Sequence, residues 1–302
     1  MRLSDIKILF QQELSELYSK SEIEELFSIF AGHLLNLNKI ELRHNLEKNL
    51  SESDSKQFSE YISELKTGKP FQQILGETEF YGMKFFVNEY VLIPRPETEE
   101  LLELAIGKIH LDRVREPQPD NPTTLQLSNS LVKILDIGTG SGIIPIVLKK
   151  HFPEAEVTAI DISEDALEVA KKNAEFHKTE INFLKKDYLN EVFDSVQTDN
   201  EVFDVIISNP PYIGIEENPE IEDSVKGFEP NLALFSPTSD ALIFYRKIAQ
   251  DCKNHLAENG FLFLEINQKL GKETLELYKN GFSEVELLKD ISGNDRMIFG
   301  RK

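Results

Sequence analysis

An alternation of apolar runs and helical segments from residue 131 onward constrains the fold of this chain more than any other feature. The runs are mostly apolar, as in strands that are buried on both faces of a sheet. They lie at residues 131–137, 156–162, 181–187, 203–209 and 260–266. Helical patterns lie between them at 142–151, 164–177 and 239–258. This repetition predicts a mostly parallel α/β sheet with helices on both faces, and apolar segments at 283–291 and 295–301 predict an antiparallel edge.

The first 69 residues have a different pattern, without any proline. Their apolar side chains recur at three- and four-residue spacings, which predicts two amphipathic helices, and a third helix is expected at 52–66. Ser21 followed by Glu24 matches a capping box and predicts the start of the second helix. We therefore expect residues 1–69 to form a small helical bundle that recognises a substrate.

A change of composition at Lys69-Pro70 marks the end of the bundle. The aromatic segment FYGMKFFV is typical of one arm of a β-hairpin, so we expect residues 70–93 to form a hairpin linker. A helix is predicted from about residue 97, and the proline-rich stretch 112–130 is predicted to be an exposed loop. The α/β domain is then expected to span residues 94–302.

Charge and cysteine content exclude several classes of function. Acidic residues outnumber basic ones by 53 to 33, a formal net charge of −20, which opposes binding to nucleic acids or to anionic membranes. Cys252 is the single cysteine, so neither an internal disulfide nor a thiolate-based metal site is expected. The N-terminal segment does not resemble a signal peptide, and no long apolar run predicts a membrane span. We expect a cytoplasmic monomer without a metal.

A glycine loop follows the first parallel strand, in the sequence Asp136-Ile-Gly138-Thr139-Gly140-Ser141-Gly142. Glycines at such a strand-to-helix turn allow a ligand to approach the backbone closely. A dinucleotide-binding loop needs a small residue where Ile143 stands, and a phosphate-binding P-loop needs a following Lys-Ser/Thr pair that is missing. The carboxylate of Asp136 would repel a pyrophosphate but would favour an ammonium or sulfonium group.

Acidic residues also stand at the ends of the next two strands. Asp161 ends the second strand, where a carboxylate can accept hydrogen bonds from both hydroxyls of a ribose. Asp187 ends the third strand and could accept from an adenine amino group, while Tyr188 could cover the ring. Together these residues predict a pocket for a cationic adenosine compound, and S-adenosylmethionine fits that description.

The sequence Asn209-Pro210-Pro211-Tyr212 ends the fourth strand. Two prolines stop the strand and leave a stiff turn whose carbonyls are unpaired. The Asn209 side-chain oxygen and the Pro210 carbonyl can each accept one N–H of a planar amide or amine, which orients its nitrogen for displacement. Tyr212 can stack against a flat substrate. These residues predict direct methyl transfer to nitrogen.

Several motifs together resemble one enzyme family. The glycine loop and the Asn-Pro-Pro-Tyr turn resemble class I S-adenosylmethionine-dependent methyltransferases of the Rossmann-like type. Three further segments, at 74–103, 228–234 and 289–301, are similar to the protein-(glutamine-N5) methyltransferases of peptide chain release factors, the HemK/PrmC type. The order of bundle, hairpin linker and α/β domain also matches that family.

This resemblance implies a substrate, a cofactor and a set of site residues. The substrate would be the glutamine of the Gly-Gly-Gln tripeptide in release factors, and its side chain would be held by residues 209–212. S-adenosylmethionine would be the methyl donor, with S-adenosylhomocysteine as product. The resemblance implies that Gly138 to Gly142, Asp161, the Asp187-Tyr188 region and Asn209 line the cofactor site. Arg95 and Pro96 would close over the methionine end of the cofactor.

Three other functions are alternatives for a chain with these motifs. A DNA or RNA adenine N6-methyltransferase would use a similar turn on a flipped base, but it would need a basic surface that this acidic chain does not provide. A non-catalytic adaptor is disfavoured by the intact motifs. An NAD oxidoreductase is disfavoured by Asp136 and Ile143.

Overall fold

Two units make up the chain in the computed structural model, which describes residues 1–114, 132–191, 202–214 and 227–302. The first unit comprises Met1–Glu77 and Glu222–Phe228. The second comprises Thr78–Ile221 and Glu229–Lys302. Within the described residues, no helix is long and apolar enough to cross a membrane.

The first unit is a helical bundle, as the sequence predicts. Its helices are α1 (Leu3–Leu14), α2 (Lys20–Leu35), α3 (Lys39–His44), α4 (Glu52–Leu65) and α5 (Phe71–Leu75). Three fully buried rings form the centre of its core, those of Phe10, Phe30 and Phe58. The Phe10 and Phe58 rings meet edge to face with centroids 6.3 Å apart, an arrangement that adds to the burial energy. The short helices α3 and α5 were not expected from the sequence.

The start of α2 lies two residues earlier than predicted. Ser19, not Ser21, is the N-cap: its hydroxyl accepts from the Glu22 N–H, and the Glu22 carboxylate accepts from the Ser19 N–H at 2.8 Å. The prediction of Ser21 was wrong because the Ser-x-x-Glu spacing occurs twice in this segment, from Ser19 to Glu22 and from Ser21 to Glu24. The helix begins at the first of the two.

The predicted hairpin is present, and the segment FYGMKFFV, which was expected to be one arm, contains its turn and its second arm. Strand β1 (Glu77–Phe80) pairs with β2 (Met83–Phe86). Tyr81 and Gly82 connect them with φ values of 53° and 64°, and two positive φ values are characteristic of the tight type I′ turn. The Tyr81 N–H donates to the Glu99 carboxylate at 2.6 Å, which holds a non-glycine residue in this conformation.

The second unit contains the predicted mixed sheet of seven strands in the order β5-β4-β3-β6-β7-β9-β8. The first five strands in this order are parallel, and β9 runs antiparallel between β7 and β8. The fold class and its antiparallel edge are thus confirmed. The strands are β3 (Lys133–Ile137), β4 (Glu156–Asp161), β5 (Asn182–Lys185), β6 (Phe203–Ser208), β7 (Leu256–Glu265), β8 (Glu284–Lys289) and β9 (Asp295–Arg301).

Helices cover both faces of this sheet. Their bounds are α6 (Pro96–Val114), α7 (Ile143–His151), α8 (Glu164–His177), α9 (Asn231–Leu234), α10 (Ile243–His255) and α11 (Gly271–Tyr278), with a 3₁₀ turn at Gln268–Leu270. Alternate strand residues pack on α6 and α7 on one face and on α10 and α11 on the other. Two expected boundaries were wrong: α6 continues to Val114 where a loop was predicted from 112, and β7 begins at Leu256, inside the predicted helix 239–258. The rest of the predicted loop, 115–130, lies outside the described residues.

The strand order reverses at β3, and this reversal positions the candidate site. From β3 the chain proceeds to β4 and β5 on one side and then returns to β6 on the other side. In open sheets of this kind, ligands bind outside the carboxyl ends of the strands where the order reverses. Asp161 ends β4 at this point, and the glycine loop and Asn209 follow β3 and β6.

Candidate active site

A cavity of about 370 Å³ opens at the carboxyl ends of β3, β4 and β6. Most of the residues predicted for the site line it: Arg95, Gly138, Thr139, Gly140, Ser141, Asp161, Asp187, Tyr188, Asn209, Pro210 and Pro211. Four other predicted residues are not part of its wall, namely Pro96, Asp136, Gly142 and Tyr212. The strand ends therefore converge as the sequence predicts, although some of the predicted side chains lie behind the wall.

The glycine loop forms one wall through its backbone surface. Gly138 and Gly140 have φ values of 75° and 53°, and a Cβ atom added at either would meet nothing within 4 Å. The backbone conformation, and not crowding, therefore favours glycine at both positions. The N–H groups of Gly138 and Thr139 donate to the Ile160 carbonyl at 2.9 and 3.0 Å. The loop thus offers bare surface to a ligand while these two donors are already used.

Gly142 has a packing role behind the wall. Its φ is 79°, and an added Cβ would lie 3.0 Å from the Cβ of Ala170 in α8. The residue permits the close approach of the glycine loop to α8. Asn173 of the same helix donates to the Ser141 carbonyl at 2.9 Å and also bonds both backbone groups of Phe86. A single buried amide therefore ties the loop to the hairpin.

Asp136 lies beneath the glycine loop and is fully buried. Within the described residues, neither of its carboxyl oxygens nor the buried Thr139 hydroxyl has a hydrogen-bond partner. Burial raises the pKa of Asp136 to about 7, and the negative charge of Asp161 contributes to the rise. The Thr139 side chain opposes this rise. Unpartnered buried polar groups of this kind are costly, and a cationic ligand in the cavity would stabilise the carboxylate.

Asp161 connects the ends of two loops at the cavity wall. One carboxyl oxygen accepts from the Gly140 N–H at 2.8 Å, and the other accepts from the Ser163 N–H at 2.9 Å. Burial raises the pKa of Asp161, although these backbone donors oppose the rise. Since each carboxylate oxygen can accept a second hydrogen bond, Asp161 can bind the hydroxyls of a sugar while it holds the loop.

Asp187 and Tyr188 lie at the opposite wall. Strand β5 ends at Lys185, so Asp187 follows the strand instead of ending it. Its carboxylate accepts from the Asn190 N–H at 3.2 Å and from the Asn190 amide at 2.9 Å. The Tyr188 ring is 5% exposed, and the Lys247 ammonium lies 4.9 Å from its centroid. Tyr188 therefore presents only part of its ring to the cavity.

The Asn-Pro-Pro-Tyr turn forms the wall that adjoins β6. The Asn209 side-chain amide donates to the Thr98 hydroxyl at 3.2 Å. Within the described parts of the chain, neither Asn209 Oδ1 nor the Pro210 carbonyl accepts a hydrogen bond. Two adjacent acceptors are thus available to a ligand. The Tyr212 carbonyl accepts from the Asn267 amide at 3.1 Å, which holds the far end of the turn.

Glu265, at the end of β7, lies behind this turn and is 1% exposed. Its carboxylate accepts from the Thr98 hydroxyl at 2.7 Å and from the Tyr212 hydroxyl at 3.2 Å. Burial raises the pKa of Glu265 to about 7, against the effects of the Thr98 hydrogen bond and the Arg296 charge. Neither Thr98 nor Glu265 was assigned to the site from sequence. The position of Glu265 at a strand end was the one available signal.

A buried ion pair links the loop before α6 to the segment before α9. The Glu229 carboxylate accepts from the Arg95 guanidinium at 2.6 Å and from the Ile93 N–H at 3.0 Å. The Glu229 side chain is 1% exposed and that of Arg95 is 33% exposed. Arg95 was predicted from the sequence to belong to the site, but Glu229 was not. The Glu229 carboxylate fixes the position of Arg95 at the cavity.

The sheet order, the glycine loop and the Asn-Pro-Pro-Tyr turn together define a methyltransferase of the class I fold. The model of the Methyltransferase small domain matches residues 120–223, and the model of the PrmC N-terminal domain matches residues 9–76. A methyltransferase from Pyrococcus furiosus has the same fold, with a TM-score of 0.51 and 18% identity over 80% of this chain and 98% of that one.

Two curated relatives extend this result to nearly the whole chain. The release factor glutamine methyltransferase of Flavobacterium psychrophilum is 43% identical over 99% of this chain and 98% of its own. That of Streptococcus pneumoniae is 39% identical over 96% of each chain. The chain therefore belongs to the release factor glutamine methyltransferase family, and the resemblance found in the sequence is confirmed.

Proposed function

We propose that this methyltransferase transfers a methyl group from S-adenosylmethionine to the side-chain amide nitrogen of the glutamine in the Gly-Gly-Gln tripeptide of peptide chain release factors. The observation that carries the proposal is the pair of available acceptors, Asn209 Oδ1 and the Pro210 carbonyl, at the cavity wall. A primary amide has two N–H groups, and this pair can accept one from each. The names of the curated relatives support the same substrate.

The cavity has the chemical character that this cofactor requires. S-adenosylmethionine supplies an electrophilic methyl group on a positively charged sulfur. The buried, unpartnered carboxyl of Asp136 provides negative charge behind the glycine loop. Asp161 retains lone pairs that we assign to ribose hydroxyls, and we assign Asp187 and Tyr188, which also line the cavity, to the adenine. We also assign Arg95 and Pro96 to the segment that holds the methionine end.

The turn at residues 209–212 acts chiefly by orientation. An amide nitrogen is a weak nucleophile because its lone pair is delocalised into the carbonyl. Two fixed acceptors hold that nitrogen in line with the methyl group, which lowers the entropic part of the barrier. Their dipoles also stabilise the positive charge that develops on nitrogen during transfer. The prolines keep the acceptors rigid, since each fixes its own φ angle.

The other parts of the chain are assigned on the same basis. We infer that residues 1–69 recognise the protein substrate, that residues 70–93 link the two parts, and that residues 94–302 perform the transfer. Release factors act in translation, so we place the enzyme in the cytoplasm, where it works as a monomer on a protein partner and not on a specific nucleic acid sequence.

Mass spectrometry of possible acceptors tests the proposal. A bacterial release factor, duplex DNA and tRNA are each incubated with this protein and S-adenosylmethionine. One added methyl group on the Gly-Gly-Gln glutamine, with none on the nucleic acids, is the expected result. A methyl group on adenine, with none on the release factor, would contradict the proposal and would establish the nucleic acid methyltransferase instead.

A further inference from the structure

A continuous series of hydrogen bonds connects Asn209 to a carboxylate on another strand. The Asn209 amide donates to the Thr98 hydroxyl at 3.2 Å, and that hydroxyl donates to the Glu265 carboxylate at 2.7 Å. Thr98 is 2% exposed and Glu265 is 1% exposed. Water therefore does not compete for the bond between Thr98 and Glu265, and the loss of a partner there costs free energy.

The direction of each bond in this series is determined by its buried end. When the Glu265 carboxylate is ionised, above its pKa of about 7, it can only accept, and the Thr98 hydroxyl then uses its single proton for Glu265. The lone pairs that remain on Thr98 can then only accept, and the Asn209 amide must present its NH₂ group to them. Asn209 Oδ1 is consequently directed away from Thr98. A flipped carboxamide would place two oxygens against each other with no proton between them.

We propose that Glu265, acting through Thr98, is a positioning residue that directs the oxygen of the Asn209 carboxamide, and not its NH₂ group, toward the substrate. This inference rests on the proposed function, in which Asn209 Oδ1 accepts a hydrogen bond from the substrate amide. Without Glu265 to accept the proton of the Thr98 hydroxyl, the two orientations of the Asn209 carboxamide become comparable in energy. The fraction of enzyme that presents an NH₂ group to the substrate would then be unable to bind it productively.

The same carboxylate also holds the other end of the turn. The Tyr212 hydroxyl donates to the second oxygen of Glu265 at 3.2 Å. Tyr245 donates to the Glu265 carbonyl at 3.1 Å, which fixes the backbone from which the carboxylate projects. The charges of Arg296 and Glu97 also act on the carboxylate, with opposite effects on its pKa. One buried group thus positions residues at both ends of the Asn-Pro-Pro-Tyr turn.

Substitutions at Thr98 separate positioning from packing. Thr98→Val keeps the shape of the side chain but removes the hydroxyl, whereas Thr98→Ser keeps the hydroxyl and loses a methyl group. Thr274→Val is the matched control, because Thr274 is also fully buried and its hydroxyl donates to the Leu270 carbonyl at 2.8 Å, outside the network. Glu265→Gln tests the carboxylate. The substituted amide can donate to the Thr98 hydroxyl, and that hydroxyl can then direct its own proton toward Asn209.

Steady-state methylation of a release factor, with S-adenosylmethionine binding measured separately, provides the first test. For Thr98→Val and Glu265→Gln we expect kcat to fall about 30- to 100-fold, as for a misplaced reacting group, while the cofactor Kd changes by less than about twofold. Thr98→Ser is expected to recover most of the rate, and the double variant should be no worse than the poorer single variant. Equal rates for Thr98→Val and Thr98→Ser, or an equal loss in Thr274→Val, would overturn the inference.

NMR of the Asn209 side chain tests the orientation without any enzymatic reaction. The NH₂ signals are assigned by their absence in Asn209→Asp and are then compared among the variants. Thr98→Val is expected to shift them and to speed their exchange with water, and Thr274→Val to leave them unchanged. Unchanged signals in Thr98→Val would overturn the inference. If the parent enzyme does not methylate release factors, the proposed function fails, and these signals alone still decide the orientation.

Discussion

The two halves of the cavity differ in how their buried polar groups are paired. Beneath the glycine loop, the Asp136 carboxyl and the Thr139 hydroxyl have no hydrogen-bond partner among the described residues. Behind the Asn-Pro-Pro-Tyr turn, Asn209, Thr98 and Glu265 form a connected series. Asp136 and Thr139 in the first half and Thr98 and Glu265 in the second are all buried, so exposure to solvent does not explain the difference between these pairs.

This difference indicates how each half performs its task. A buried polar group without a partner costs free energy, and a ligand that supplies the partner recovers it as affinity. We therefore propose that the cofactor completes the glycine-loop half. The half at the turn is preorganised, and its acceptors are in place before the substrate arrives, which favours rate over affinity. We expect substitutions in the first half to alter binding and those in the second to alter turnover.

The largest effect is expected at Asn209. Asn209→Ala removes one of the two acceptors for the substrate amide, and we expect kcat to fall about 1000-fold, in the range seen when a transition-state hydrogen bond is lost. The cofactor Kd should change by less than about threefold. Single-turnover methylation and calorimetry provide the two measurements. Asn182→Ala, at an exposed position of β5, is the control, and near-normal turnover by Asn209→Ala would refute the mechanism.

The next largest effect is expected at Asp161, in the half that we assign to the cofactor. Asp161→Asn removes the charge and one acceptor from the Gly140 and Ser163 N–H groups. We expect the Kd for S-adenosylmethionine to rise about 100-fold, the equivalent of about 3 kcal/mol, with kcat at saturation much less affected. Asp204→Asn, whose carboxylate accepts from the Lys133 N–H at the far end of the sheet, is the control. A loss of kcat without a loss of affinity would reverse the assignment.

A smaller, pH-dependent effect is expected from Asp136. Its pKa of about 7 lies above the ordinary value, so the group binds a proton in the folded protein as the pH falls below 7. A cationic cofactor favours the ionised form, and its affinity should therefore rise with pH and level off above about 8, by about three- to tenfold from pH 6. Because the folded protein binds this proton more tightly than the unfolded chain, the free energy of unfolding of the cofactor-free protein falls as the pH rises from about 4 to 7. Calorimetry with S-adenosylmethionine should show this dependence, and Asp136→Asn should abolish it.

The smallest effect compares the same substitution in the two halves. Thr139→Val removes a buried hydroxyl that has no partner, and the free energy of unfolding should stay within about 0.5 kcal/mol or increase slightly. Thr98→Val leaves the buried Glu265 carboxylate and the part-buried Asn209 amide without this partner, and we expect a loss of about 1–3 kcal/mol. Urea unfolding of both variants measures the difference. Equal losses at the two positions would show that the halves are not paired differently in solution.

Much of the fold could be predicted because its signals are local. Apolar periodicity located the central strands and α8, and the carboxyl ends of parallel strands brought Gly138, Asp161 and Asn209 together as expected. Local signals were insufficient where the same capping pattern occurred twice, as at Ser19 and Ser21. They were also insufficient in the hairpin, where Tyr81 adopts a positive φ that no propensity for tyrosine predicts.

The positioning network could not be predicted, since it depends on contacts between distant parts of the chain. Thr98 is 111 residues from Asn209 and 167 residues from Glu265. Nothing near Thr98 in sequence distinguishes it from an ordinary first-turn residue of α6. Only the packing of α6 against the end of β7 gives its hydroxyl a role.

The most direct measurement is the methylation of a release factor and of its variant in which the Gly-Gly-Gln glutamine is replaced by alanine. Both are treated with S-adenosylmethionine and either the parent enzyme or Asn209→Ala, and the peptides are mapped by mass spectrometry. The account predicts one methyl group on that glutamine, from the parent enzyme alone, and none on the alanine variant. Methylation of the alanine variant, or equal methylation by Asn209→Ala, would contradict it.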